Sequence, residues 1–322
     1  MFGKSKNDES QGNTHMTSVV VLGASGMLGS MVVDVLAGAG RLAVAGTVRS
    51  AGLAEACRQL LPSVTWREYD AQREDRSLTD ALDGATWIVN AIGLTKPYVH
   101  DDDPAEVERA IQVNARFPFV LARAADAIGA RVIQIATDCV FSGSSGGYLE
   151  SSPHDAFDVY GKTKSLGEAS LPNMHLLRCS IVGPEPAKPT FLLEWLRRQP
   201  AGASVNGYVD HLWNGVTTYA FARLCHGIIT GAPLEPGVQH VVPNGDVTKA
   251  DLLVMIAKEY GRGDLTIMPA PAPYHVDRTL RTDNPDVNAM LWSAAGYAAP
   301  PSISEMIAEV ASYTPRVKGL TA

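Results

Sequence analysis

The chain has 322 residues, enough to bury one sizeable core or two closely joined ones, and its 46% hydrophobic and 19% charged content is that of an ordinary globular protein. A net charge of −7 without a basic block excludes a nucleic-acid surface, and no apolar run is long enough to span a membrane, so the expected partner is a small molecule. The 4 cysteines, Cys57, Cys139, Cys179 and Cys225, show neither metal-ligand nor disulfide-framework spacing, which fits a reducing, cytoplasmic compartment and a chain without a metal site.

In chain order, residues 1–16 are polar, lack an apolar signal core and read as an expression leader around a native start at Met16. From Ser18 short apolar runs alternate with helical periods, the pattern of a doubly wound, parallel Rossmann-type α/β sheet. Strands are expected at 18–23, 42–49, 63–70 and 85–93, with a helix over 28–36 after the first. A long helix is expected over 104–129, opening on Pro104 and kinked or broken at Pro118. The fifth strand runs from Arg131 through Phe141, a helix starts at Tyr160, and the sixth strand covers 175–183. Pro184, Pro186 and Pro189 then mark a change of character, so residues 17–183 are assigned to the dinucleotide-binding domain. Residues 184–322 are assigned mainly to a smaller α/β substrate-binding region, with segments such as 238–243 returning to the sheet.

The run Gly23-Ala24-Ser25-Gly26-Met27-Leu28-Gly29 follows the first strand and opens a helix. Glycines there permit a tight turn and let main-chain N–H groups approach a pyrophosphate at the positive end of the helix dipole. The spacing is GxxGxxG rather than the commoner GxGxxG. At the end of the second strand stands Arg49, with no acidic residue to accept from an adenosine ribose. A cation suits a 2′-phosphate, so NADP(H) is preferred over NAD(H), which stays open.

Tyr160 and Lys164 are four residues apart and share a helix face. A phenol of reference pKa about 10 beside an ammonium is a usable proton donor and acceptor. Thr137, at the end of the fifth strand, lies on the edge where open α/β sheets place ligands, and its hydroxyl can bind a substrate oxygen.

Gly23 to Gly29, Asn90-Ala91-Ile92-Gly93, Asn114, Thr137 and the Tyr160/Lys164 pair together resemble an extended short-chain dehydrogenase/reductase. Ala136 to Gly143, Tyr148-Leu149-Glu150, Asp158 to Lys164 and Gly167-Glu168 are similar to the dTDP-4-dehydrorhamnose reductase branch, over most of residues 18 to 183. The resemblance implies reduction of a 4-keto group on a nucleotide-linked deoxysugar. Thr137 would orient the carbonyl, Tyr160 would protonate its oxygen, and Lys164 would hold the nicotinamide ribose while lowering the tyrosine pKa. Asp70-Ala71 would line the adenine site, and Ala91, Ile92 and Gly93 would pass beside the cofactor. Cys139 and Ile181 depart from the branch, which has tyrosine and tryptophan there, and this leaves the sugar undefined.

Cys139 also resembles the catalytic cysteine of GDP-fucose synthase. By strand alternation it would face the same side as Thr137, either as an acid or as a packed thiol. His211 and Trp213 could contact the sugar or base, or be simply solvated. Arg197, Arg198, Arg278 and Arg281 could meet the substrate diphosphate or remain surface charges. Asp101-Asp102-Asp103 before Pro104 reads as a helix cap. Three functions stay open: an NADPH-dependent sugar-nucleotide 4-ketoreductase, a bifunctional epimerase/reductase using Cys139, and a non-catalytic NADP-binding regulatory subunit resembling the methionine adenosyltransferase β subunit. A homodimer also stays open.

Overall fold

The computed structural model describes residues 16–73, 78–187 and 189–320. Apart from Met16, the leader expected at 1–16 lies outside the described residues. Six strands, β1 (Thr17–Leu22), β2 (Leu42–Val48), β3 (Thr65–Glu68), β4 (Trp87–Asn90), β5 (Arg131–Ala136) and β6 (Met174–Arg178), build the main sheet with a seventh, Gly237–His240. Every pair is parallel, in the order 237–240, β6, β5, β4, β1, β2, β3. The order reverses between β1 and β4, which opens the crevice where doubly wound sheets hold ligands.

Alternation along β1 builds both faces of the core at once. Val19 and Val21 pack with α1 (Met27–Gly38) and the Thr218–Ile229 helix, while Val20 and Leu22 join Ile88, Leu121, Val132 and Leu176 on the other face. α1 is therefore sandwiched, and its residues Leu28 to Asp34 are all buried. Buried Asp34 pairs there with Arg316 of the C-terminal segment.

Residues beyond 183 do not form a separate body. The Gly237–His240 strand extends the sheet, and the Thr218–Ile229 helix covers α1. Short pairings build the remainder: Ser204–Tyr208 with Thr266–Ala270, and His211–Trp213 between Val247–Thr248 and Val276–Asp277. Buried Arg178 of β6 donates to Glu168 and to the ring of His240, tying the Val159–Leu166 helix, β6 and the returning strand together.

Some expected elements are shorter or divided. The helix expected over 104–129 is α-helical at Pro104–Ala110, widens to a π-helical segment at Ile111–Arg116 and resumes at Phe117–Ala127. Pro118 has no N–H to offer the Asn114 carbonyl four residues back, so the chain passes it with the Phe117 N–H donating to Gln112 instead. The sixth strand ends at Arg178, and Ile181–Val182 pairs separately with Val216–Thr217.

His175 of β6 is fully buried, its Nδ1 facing the Glu235 carbonyl and its Nε2 accepting from Arg131. Burial, reinforced by the Arg131 charge, pulls its pKa from 6.5 to about 4. The unfolded chain thus takes up this proton first as pH falls. The stability held above pH 6.5 is lost toward pH 4, by about 2 kcal/mol between pH 7 and pH 5. Urea unfolding of wild type and His175→Gln at both pH values checks this: the wild type should lose that much more than the variant, and equal losses would contradict it.

Candidate active site

The glycine loop is shaped by contacts that no side chain could share. Gly23 has a φ of +74°, and a Cβ there would sit 3.2 Å from the Ala91 carbonyl oxygen. At Gly29 a Cβ would fall 2.2 Å from the Gly23 carbonyl oxygen, so the first turn of α1 rests directly on the end of β1. The Gly23 N–H donates to the Thr47 hydroxyl at 3.1 Å and the Ala24 N–H to the Thr47 carbonyl at 2.8 Å, which fixes the loop to β2. Gly26 caps α1, and among the described residues no side chain makes a capping hydrogen bond there. The loop surface is thus backbone amide at a helix N-terminus, a cradle fitted to a dinucleotide diphosphate.

The other expected cofactor residues lie in the loop, on α1 and after the ends of β2, β3 and β4. Ser25 and Met27 are half-buried and Leu28 is buried. Arg49 is exposed at the end of β2, with no hydrogen bond or ion pair among the described residues. Asp70 accepts from the Gln72 N–H at 3.0 Å, and Ala71 packs in the same cluster as Ile92. Ala91 continues from β4, and the Ile92 N–H donates to Asn90. A Cβ on Gly93 would lie 3.8 Å from the Lys164 ammonium, so the missing side chain leaves the space between β4 and that lysine open.

β5 stops at Ala136. Thr137 is the N-cap of a 3₁₀ turn, Asp138–Val140, its hydroxyl accepting from the Cys139 N–H and donating to Asp138, each at 3.2 Å. The alternation expected through Cys139 therefore does not apply, because the backbone has left the strand. Cys139 still reaches the site by way of the turn, since its thiol acts electrostatically on both Tyr160 and Lys164.

Tyr160 and Lys164 stand on the Val159–Leu166 helix, whose start is capped twice. Asp158 accepts from the Gly161 N–H at 2.7 Å and pairs with Lys96, while Asp101 accepts from the Val159 N–H at 3.1 Å. The Asp101–Asp103 triplet thus serves two helices, since Asp103 caps Pro104–Ala110. Gly161 brings this helix onto the 3₁₀ turn, where a Cβ would meet the Cys139 carbonyl oxygen at 2.4 Å. Gly167 lies against the Asn114 carbonyl in the same way, at 1.8 Å, beside the π segment.

Burial raises the Tyr160 pKa above its ordinary value, Cys139 adds to the rise, and the nearby Thr137 hydroxyl opposes it. Lys164 is not among the strongest influences on the phenol, in contrast to the expectation that the ammonium would bring it down. Burial instead depresses Lys164, whose Nζ donates to the Ile135 carbonyl at 3.4 Å. Cys139 is pushed up to about 12 by burial and by Asp138.

The substrate candidates divide. His211 is half-buried between Tyr208 and Tyr274 with Nε2 at the Tyr274 carbonyl, and Trp213 is buried, donating to Ser180. Arg281 is closed by Asp246, and Arg197 pairs with Glu194. Arg278 instead donates to the Phe141 carbonyl and acts on Asp138 and Cys139 beside Thr137. Sequence reasoning missed Asp138 and Lys249. Asp138 is adjacent to Thr137 and could have been noticed, but Lys249 comes from a distant segment with no motif. Among the described residues no group of His, Cys, Asp or Glu is arranged to hold a metal, and no helix is long and apolar enough to cross a membrane.

Gly29→Ala should weaken NADP(H) binding at least tenfold in a calorimetric titration, because the Cβ must push α1 off the loop. Unchanged affinity would contradict the cradle.

The model of the RmlD substrate binding domain matches residues 16–314. A dTDP-4-dehydrorhamnose reductase of Mycobacterium tuberculosis is 27% identical over 292 residues, 86% of this chain and 87% of that protein. A dTDP-4-dehydrorhamnose reductase of Bacillus anthracis, solved with NADP, superposes with a TM-score of 0.65 at 18% identity, covering 92% of this chain and 99% of that one. A UDP-glucuronic acid 4-epimerase of Bacillus cereus, solved with UDP-glucuronic acid and NAD, gives 0.70 at 17% identity with the same coverage. Matched along nearly its whole length, and carrying the glycine loop and the tyrosine and lysine on one helix, the chain belongs to the RmlD substrate-binding-domain family of extended short-chain dehydrogenases/reductases.

Proposed function

We propose that the protein catalyses NADPH-dependent reduction of the 4-keto group of a nucleotide-linked deoxysugar. The observation that carries this reading is the close seating of the helix bearing Tyr160 and Lys164 on the turn capped by Thr137, where Gly161 meets the Cys139 carbonyl, with the Lys164 ammonium facing Gly93 at the end of β4. When bound, the dinucleotide supplies hydride to the carbonyl carbon. Tyr160, kept protonated by its burial, donates its proton to the ketone oxygen as that charge develops. Thr137 turns its hydroxyl from Asp138 to the same oxygen. Lys164 binds the nicotinamide ribose, the α1 amides take the diphosphate, and Asp70-Ala71 border the adenine. Arg49, unpaired among the described residues, meets a 2′-phosphate, which favours NADP(H) over NAD(H).

The bifunctional reading has less support. Cys139, held near 12, keeps its proton at neutral pH and could serve there only as the acid, so the base must come from another residue. His211, the histidine considered for a sugar contact, is engaged by the Tyr274 carbonyl. The non-catalytic reading predicts dinucleotide binding without turnover.

Loss of NADPH absorbance with dTDP-4-dehydrorhamnose tests the proposal. Tyr160→Phe should lower kcat at least a hundredfold while leaving NADPH affinity unchanged. Arg49→Ala should raise KM for NADPH several-fold with little effect on NADH. A wild type that binds NADPH yet turns over no 4-keto nucleotide sugar overturns the reductase reading.

A further inference from the structure

Lys249 is a site cation that the reading above does not use. It opens the Lys249–Glu259 helix, where the helix dipole disfavours a positive charge, and its side chain is half-buried. No hydrogen bond or ion pair reaches it among the described residues. Asp251, the acid in the same helical turn, is occupied by Thr248 in a capping box. Other partly or fully buried cations have a carboxylate or a carbonyl: Arg178 has Glu168, Arg223 has Glu309, Arg316 has Asp34, and Arg278 and Lys164 donate to the Phe141 and Ile135 carbonyls.

The pairing of 247–248 with 211–213, and of 211–213 with 276–277, carries Lys249 toward the turn after Thr137, where Arg278 donates to the Phe141 carbonyl. The Lys249 Nζ lies 5.3 Å from the centre of the Trp213 ring, and its charge acts on Asp138 and Cys139, the two residues after Thr137. Burial pulls the ammonium down to about 8, Asp138 and Cys139 pull it up, and Arg278 lowers it. Three costs thus converge on one side chain: an unfavourable helix end, partial desolvation, and no carboxylate within ion-pair distance among the described residues. A ring face offsets only part of them. Perturbed, unpaired ionisable groups in such a setting mark ligand contacts.

We propose that Lys249 is a substrate-binding residue that enters over Trp213 and donates hydrogen bonds to oxygen substituents of the sugar ring, selecting sugars that carry an acceptor there. The inference rests on reading the site as one for nucleotide sugars. The sugar, rather than the diphosphate, is favoured by position: Asp138 and Cys139 follow the threonine assigned to the carbonyl, which places the ammonium at the reacting end of the glycosyl unit.

Calorimetric titration of the NADP-loaded protein with dTDP-rhamnose and with dTDP separates the two contacts. Lys249→Met should weaken dTDP-rhamnose at least tenfold and leave dTDP and NADP affinity unchanged, with KM raised more than kcat is lowered. Lys249→Arg should recover part of the loss. Equal weakening of dTDP-rhamnose and dTDP would assign Lys249 to the phosphates and overturn the inference, as would no change in either. If wild type gains nothing from the dTDP-linked sugar, the deoxysugar reading fails by itself, and UDP-glucose and UDP-glucuronic acid are compared with UDP. A Lys249-dependent gain there upholds the inference for another sugar, and its absence with every ligand overturns it.

Discussion

Two helices that build the site rest on backbone carbonyl groups at three points, with only a glycine hydrogen between them. Gly29 seats α1 on the Gly23 carbonyl, Gly161 seats the Val159–Leu166 helix on the Cys139 carbonyl, and Gly167 seats the end of that helix on the Asn114 carbonyl. Any side chain at these points would separate layers whose spacing defines the pocket, because packed interiors cannot yield by an ångström at one place only. The first contact exposes the amides of the phosphate cradle. The second holds Tyr160 beside Thr137, and the third holds the lysine-bearing helix against the π-helical segment produced by Pro118.

Desolvation sets the electrostatic state of the pocket. It raises the tyrosine, the buried aspartate and the cysteine and lowers both lysines, so each group is driven toward its neutral form. For a ketone reduction this is the useful direction at Tyr160, since the phenol must arrive protonated. The same low-dielectric setting strengthens each hydrogen bond to a developing alkoxide. The sequence suggested a phenol lowered by its lysine neighbour. Two residues on one helix face share a direction but not a contact, and the burial that opposes ionisation depends on layers that sequence spacing does not report.

Legibility followed locality. The parallel sheet, its first six strands and the glycine loop could be read because each rests on short-range pattern: β-branched runs such as SVVVLG and glycines at a strand-to-helix junction. Strand ends were read too long wherever side chains continued an apolar run past the last ladder bond, as at Ala136, where Thr137 caps a 3₁₀ turn instead. The Pro118 break was visible, but its form, a π segment shifted ahead of the proline, depends on the Gly167 contact from another helix. Substrate-side residues were the least legible. Trp213 and Arg281 look available in sequence yet are taken by Ser180 and Asp246, whereas Lys249, on a helix with no motif, reaches Asp138 and Cys139 only through the folded chain.

The central claim is that the Thr137 and Tyr160 hydroxyls and the Lys164 ammonium gather around the reactive ring of a dinucleotide seated on α1. A crystal structure of the NADP complex tests it most directly. The account predicts the diphosphate on the Gly26–Gly29 amides, the ribose hydroxyls on Lys164, and the nicotinamide ring facing the Tyr160 hydroxyl. A dinucleotide bound away from the glycine loop, or seated there with its nicotinamide turned away from Tyr160, would contradict it.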